Sequence, residues 1–163
     1  MVAAPPPLSQ ATPPTAPGPR FRLLLTEDRD HPNEHWTRQL GHLLEPMGVE
    51  SHIASSAREA LAVVKEITIH AAVIDLATPT EEGELGDASG GLWLLEVLHR
   101  LPHHPPVVVV NSRSWSQAQI QRALQDAMRL GAFSVVNRPV RMEVLLQTFR
   151  RVVEMHYHGQ WPA

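Results

Sequence analysis

Four side chains are of the right types to share a reaction: the carboxyl groups of Glu27, Asp28 and Asp75, and the guanidinium of Arg138. Each follows closely on a short apolar run. Phe21 to Leu25 leads to Glu27-Asp28, Ala71 to Ile74 leads to Asp75, and Phe133 to Val136 leads to Arg138-Pro139. A further run, Val107 to Val110, leads to Asn111 and Ser112. Carboxylates gathered in one place repel one another and bind protons more tightly unless a cation lies among them. An arginine reaching the same place supplies one such charge. The chain has no cysteine, which excludes thiolate metal sites, disulfide frameworks and cysteine nucleophiles.

The segments between those runs have helical spacing. Trp36, Leu40, Leu43, Leu44 and Met47 recur in that way, with Gly48 as the expected C-cap. Val49 to Ile53 reads as a short second strand. Ser56-Ala57-Arg58-Glu59 has the spacing of a capping box and opens a helix carrying Leu61, Val64 and Ile67. Leu94, Leu98 and Leu101 mark a third helix, stopped near Pro102. Ile120, Leu124 and Met128 mark a fourth, and Val144, Leu145, Thr148, Val152 and Met155 a fifth. The valines of 107–110 suit a strand covered on both faces. Five strands alternating with five helices call for an α/β fold: a doubly wound, open parallel sheet in three αβα layers. In such sheets functional groups collect at the carboxyl ends of the strands, where all the residues above lie.

Taken in order, these motifs resemble those of two-component response-regulator receiver domains, from about Arg20 to His158. Leu23-Leu24-Leu25-Thr26-Glu27-Asp28 is similar to the family's first strand with its acidic pair. Val73-Ile74-Asp75-Leu76 is similar to the strand that ends in the phosphorylated aspartate. Val107 to Ser112 resembles the fourth strand. Gly131-Ala132 followed by Val136-Asn137-Arg138-Pro139 resembles the Gly-Ala and Lys-Pro signature.

The resemblance implies a flavodoxin-like sheet of order 2-1-3-4-5, a chemotaxis-regulator-like fold, with a cis peptide at Arg138-Pro139. It implies that Asp75 is a nucleophile accepting phosphoryl from a phosphohistidine donor or a small acyl phosphate. Glu27, Asp28, Asp75 and the backbone carbonyl of Ala77 would hold Mg²⁺, a hard ion suited to oxygen ligands. Arg138 would neutralise the transferred oxygens, and Asn111 would offer one of them an amide. The implied role is that of a stand-alone receiver, not an enzyme beyond its own phosphorylation and dephosphorylation. Its partners would be a sensor histidine kinase or phosphotransfer protein and a downstream protein target, with a homodimer left open. Only five residues follow His158, so output by protein contact is expected. The alternative is a pseudo-receiver, an interaction module that works without phosphorylation.

This chain departs from the family pattern in four places. Asn111 stands where a Thr or Ser is usual, Arg138 replaces Lys, and Val135 replaces Tyr or Phe. Lys65 is the only lysine in the chain, so Arg138 reflects a general bias, yet its planar fork is not a point charge. The segment from Asp75 to Gly91 is also much longer than usual. Its residues 78–89, with Glu81, Glu82, Glu84 and Asp87, read as a solvated insertion, or else as a lid over the acidic residues. A haloacid-dehalogenase-type hydrolase would need an aspartate at position 77, where the chain has Ala77. Flavin binding would need a glycine- or hydroxyl-rich loop after the first strand.

Residues 1–19 hold seven of the fifteen prolines and read as a disordered tail. The domain is expected over 20–158, and 159–163 as a loose end. A net charge of −3 announces neither nucleic acid nor an anionic membrane surface as a partner. No apolar run approaches the roughly 20 residues that span a bilayer, and no leader pattern opens the chain. A cytoplasmic protein is expected. Ten histidines are present, among them His31, His35, His103-His104 and His156. Without a third clustered ligand they are not expected to form a transition-metal site.

Overall fold

The computed structural model describes residues 20–27, 35–81, 88–111 and 116–160. Among them, the strands are β1 (Phe21–Thr26), β2 (Val49–Ala54), β3 (Ala71–Asp75), β4 (Val107–Val110) and β5 (Ser134–Val136). The helices are α1 (Trp36–Leu44), α2 (Ala57–Glu66), α3 (Ala88–His99), α4 (Gln117–Arg129) and α5 (Met142–Tyr157). Every strand pairing is parallel, in the order β2-β1-β3-β4-β5. This is the flavodoxin-like α/β sheet expected from the sequence.

Strand pleating sends alternate residues to opposite faces. Phe21, Leu23 and Leu25 of β1 pack with Trp36 and Leu40 of α1 and with Leu145, Phe149 and Val152 of α5. Leu24 lies in the opposite layer, with Leu94, Leu95 and Leu98 of α3 and with alanines of α2 and α4. Strands β3 and β4 are buried at every residue, which is why their sequences run apolar without alternation. Phe21 meets Phe149 and Tyr157 edge-on, with ring centroids 5.3 and 5.4 Å apart.

Several helix faces differ from the spacing of their largest residues. In α4 the buried residues are Ala123 and Ala127, whereas Met128 is 54% exposed. The helix packs into the core through these small side chains, and the larger Ile120 and Leu124 are left half-buried. In α5, Phe149 and Val153 join Leu145, Thr148 and Val152 in the core, while Val144 and Met155 face outward. Helix α1 ends at Leu44 and passes through a 3-10 turn, Glu45–Met47, to Gly48 at φ 86°. Ile67 is the extended C-cap of α2 rather than part of it.

The carboxyl end of α5 is anchored. Tyr157 is its last residue, and its hydroxyl donates to the carbonyl of His70 at 2.5 Å. The N–H of Gly159 donates to Val153, and that of Gln160 to Tyr157. Among the described residues, no helix is long and apolar enough to cross a membrane. The expectations for residues 1–19, His31 and 161–163 concern positions outside the described residues.

Candidate functional site

Asp75 closes β3 and is wholly buried. Its Oδ1 accepts from the backbone N–H of Ala77 at 2.9 Å, and its Oδ2 accepts from Nη2 of Arg138. The Arg138 side chain is only 2% exposed, so the ion pair is shut off from bulk water. A buried pair recovers its desolvation cost only when the remaining donors also find partners. Arg138 meets that requirement through Asn111. Its Nε donates to the Asn111 carbonyl at 2.6 Å, and its backbone N–H to Asn111 Oδ1 at 3.2 Å. Asn111 Nδ2 donates in turn to Asn137 Oδ1 at 2.6 Å. The planar fork of arginine lets one side chain serve Asp75 and Asn111 together, which a lysine ammonium could not reproduce. The Arg138-Pro139 peptide is cis. In this way the ends of β3, β4 and β5 are bonded to one another.

At the end of β1, the N–H of Glu27 donates to Ala54 of β2 at 3.0 Å. Its Oε1 accepts from the hydroxyl of Thr37 at 2.6 Å, a buried residue in the first turn of α1. Glu27 and Asp75 therefore stand at the carboxyl ends of adjacent strands, flanking the point where the strand order reverses. Asp28 and Ser112 lie outside the described residues. Among the described residues, no three acidic or histidine side chains group closely enough to hold a metal.

The turn after β3 is packed rather than solvated. Thr78 and Pro79 are buried, and the carbonyls of Pro79 and Thr80 accept from Ala57 and Arg58 at 2.9 and 3.1 Å. Those are first-turn N–H groups of α2, which have no partner within the helix. Ser56 caps the same helix by accepting from the N–H of Glu59. The Glu59 carboxylate reaches back to Ser55 rather than to Ser56 as in a capping box. Arg58 pairs with Glu81 at 2.7 Å on the surface. The remainder of the acidic segment, 82–87, lies outside the described residues.

Several residues that shape this edge do not stand out in the sequence. Thr26 and Thr78 are both fully buried, with their hydroxyl oxygens 2.8 Å apart, and Thr26 Oγ1 also accepts the N–H of Asp75 at 3.0 Å. The available signal was a hydroxyl closing the apolar run Leu23-Leu24-Leu25. Gly90-Gly91 is the second. A Cβ at Gly91 would come within 2.7 Å of Leu76 Cα and 2.9 Å of the Asp75 carbonyl oxygen. Only glycine allows α3 to begin so close to the turn. Beside Asn111 and Arg138, an open groove of about 530 Å³ is walled by Ile120 and Leu124 of α4.

No family model matches the sequence, and no curated protein matches it. Solved structures do. A CheY-like response regulator receiver domain protein from Methanospirillum hungatei JF-1 is 24% identical at a TM-score of 0.65, covering 86% of this chain and 100% of that one. The receiver domain of NtrX from Brucella abortus is 20% identical at 0.62, covering 82% and 98%. A sensor protein from Polaromonas sp. JS666 is 24% identical at 0.62, covering 83% and 98%. With its strand order and the acidic strand end already in view, the chain has the fold of the CheY-like receiver domains.

Proposed function

We propose that this chain is a receiver of two-component signalling in which Asp75 accepts a phosphoryl group. The observation that carries the reading is the buried carboxylate of Asp75 at the carboxyl edge of the sheet, held between the Ala77 N–H and Arg138. A carboxylate oxygen of Asp75 would form a bond to phosphorus as the donor's P–N or P–O bond breaks, leaving an acyl phosphate. Arg138 is close enough to meet the incoming negative charge. Its hold on Asp75 would then be exchanged for one on phosphoryl oxygens.

The donor set suits Mg²⁺, since Glu27, Asp28, Asp75 and the carbonyl of Ala77 offer oxygen alone. Thr37 orients the Glu27 carboxylate, as outer hydrogen-bond partners of metal ligands do. Bound there, Mg²⁺ would supply positive charge opposite the phosphoryl oxygens. A sensor kinase or phosphotransfer protein would be the donor and a protein target the reader, in the cytoplasm. Incubation with acetyl phosphate and Mg²⁺ tests the reading. Intact mass should rise by one phosphoryl group and stay unchanged in Asp75→Asn. An unchanged wild-type mass, with phosphoramidate as well, would overturn it.

One observation favours the second reading, a pseudo-receiver acting only by protein contact. The Asn111 amide is committed to Asn137 and Arg138 instead of being held ready for a phosphoryl oxygen. The same mass measurement separates the two.

A further inference from the structure

We propose that Thr26 is a positioning residue for phosphoryl acceptance, its hydroxyl a strut that sets Asp75 against the acidic end of β1. This rests on reading Asp75 as the acceptor. The β1–β3 register runs through Leu23↔Ala71, Leu24↔Ala72 and Leu25↔Val73, and goes no further. Strand β3 continues for two residues, paired to β4 through Asp75↔Val110. Successive N–H groups on a strand point to opposite sides. The N–H of Leu76 donates to Val110 of β4, so that of Asp75 faces β1. There it meets a side chain, Thr26 Oγ1, at 3.0 Å.

That hydroxyl also bonds Thr78 Oγ1 at 2.8 Å, and the N–H of Thr78 returns to the Asp75 carbonyl at 3.0 Å. The turn from 75 to 78 is thus fixed from both sides through one oxygen. Thr26, Asp75 and Thr78 are all fully buried, so no water can stand in for a missing partner. Glu27 is the next residue after Thr26, and its own N–H is tied to β2. The strut therefore links the acceptor to the backbone that carries the acidic pair. Valine has threonine's shape and lacks the oxygen, so Thr26→Val isolates the strut, and Thr26→Ser restores it.

The experiment measures two quantities in each protein at a temperature where circular dichroism shows it folded. One is hydrogen exchange and the ¹⁵N–¹H shift of the Asp75 amide without metal or phosphate; the other is the rate of acyl-phosphate formation from acetyl phosphate and Mg²⁺. In Thr26→Val, Asp75 exchange should quicken and the rate should fall by about tenfold or more, as misplaced reacting groups do. Thr26→Ser should return both to within about twofold of wild type. A Thr26→Val protein phosphorylated at the wild-type rate would overturn the strut and leave the receiver reading intact. A wild type that takes no phosphoryl group would overturn both. If Thr26→Val does not fold, Thr78→Val decides: a slowed rate rescued by Thr78→Ser supports the strut, and an unchanged rate overturns it.

Discussion

Arg138 bonds Asp75 across the width of one strand: the guanidinium enters from the end of β5, passes the end of β4, and meets the carboxylate at the end of β3. Both side chains are sealed, at 2% and 0% exposure. Removing one member of such a pair strands the other charge in a poorly solvated place. Arg138→Met is expected to lower unfolding free energy by roughly 3 kcal/mol. Urea denaturation at neutral pH measures it. Added Mg²⁺ should restore part of the loss in the variant, because a cation then again faces Asp75.

Two glycines with different surroundings should respond in opposite directions to alanine. A Cβ at Gly91 would press on Leu76 and the Asp75 carbonyl, whereas one at Gly41 would meet Ser51 Oγ at 3.4 Å, an ordinary contact. Gly91→Ala should destabilise by about 1–3 kcal/mol through overpacking. Gly41→Ala, inside α1, should stabilise by up to about 1 kcal/mol through helix propensity. Thermal midpoints of the two variants check the signs.

His70 gives the fold a dependence on pH. Its Nδ1 accepts the N–H of Arg22 at 2.8 Å, so the ring is neutral with its proton on Nε2. Burial first, and then the nearby Arg22 charge, lower its pKa from the ordinary 6.5. A lowered histidine pKa means that the unfolded chain binds the proton more readily. The contribution is then full above 6.5 and is lost as pH falls from there toward the folded-state value. Tyr157, whose hydroxyl holds the His70 carbonyl, should loosen with it. Urea midpoints at about pH 7.5 and about pH 5.5 should differ less in His70→Asn, which keeps an acceptor without titrating, than in wild type.

The fold was legible because β4 is apolar at every position, β3 is apolar up to Asp75, and the intervening segments keep helical spacing. The placement of Asp75 and Arg138 at strand ends was legible because Asp75 directly follows Ala71 to Ile74 and Arg138 comes two residues after Val136. The buried faces of α4 and α5 were not, since spacing among large residues pointed to Met128 and Met155 while alanines and Phe149 do the packing. The anchoring of Tyr157 was not legible, because its partner, His70, is far away in sequence. Thr26 and Thr78 are illegible in the sequence for a similar reason. A threonine hydroxyl becomes a strut only when the topology places β1 beside β3, and no local pattern carries that information.

Phosphorylation should be read through α2 more than through α4. Asn111 is bonded on both sides of its amide, and Val135 has no ring to rotate, so neither side chain is built to move between two positions. The turn after Asp75, by contrast, bonds Ala57 and Arg58 directly. With beryllofluoride and Mg²⁺, amide shifts should concentrate at residues 76–81 and at Ala57 and Arg58. Large shifts across 117–136, with Ala57 and Arg58 still, would contradict this.

Phosphoryl transfer that ends on Asp75 can be tested at the level of the residue by reductive trapping. After incubation with acetyl phosphate and Mg²⁺, borohydride reduces an aspartyl phosphate to homoserine, and peptide mass spectrometry locates the change. The expected result is homoserine at position 75 alone, dependent on Mg²⁺. Homoserine at another carboxylate, or at none, would contradict it.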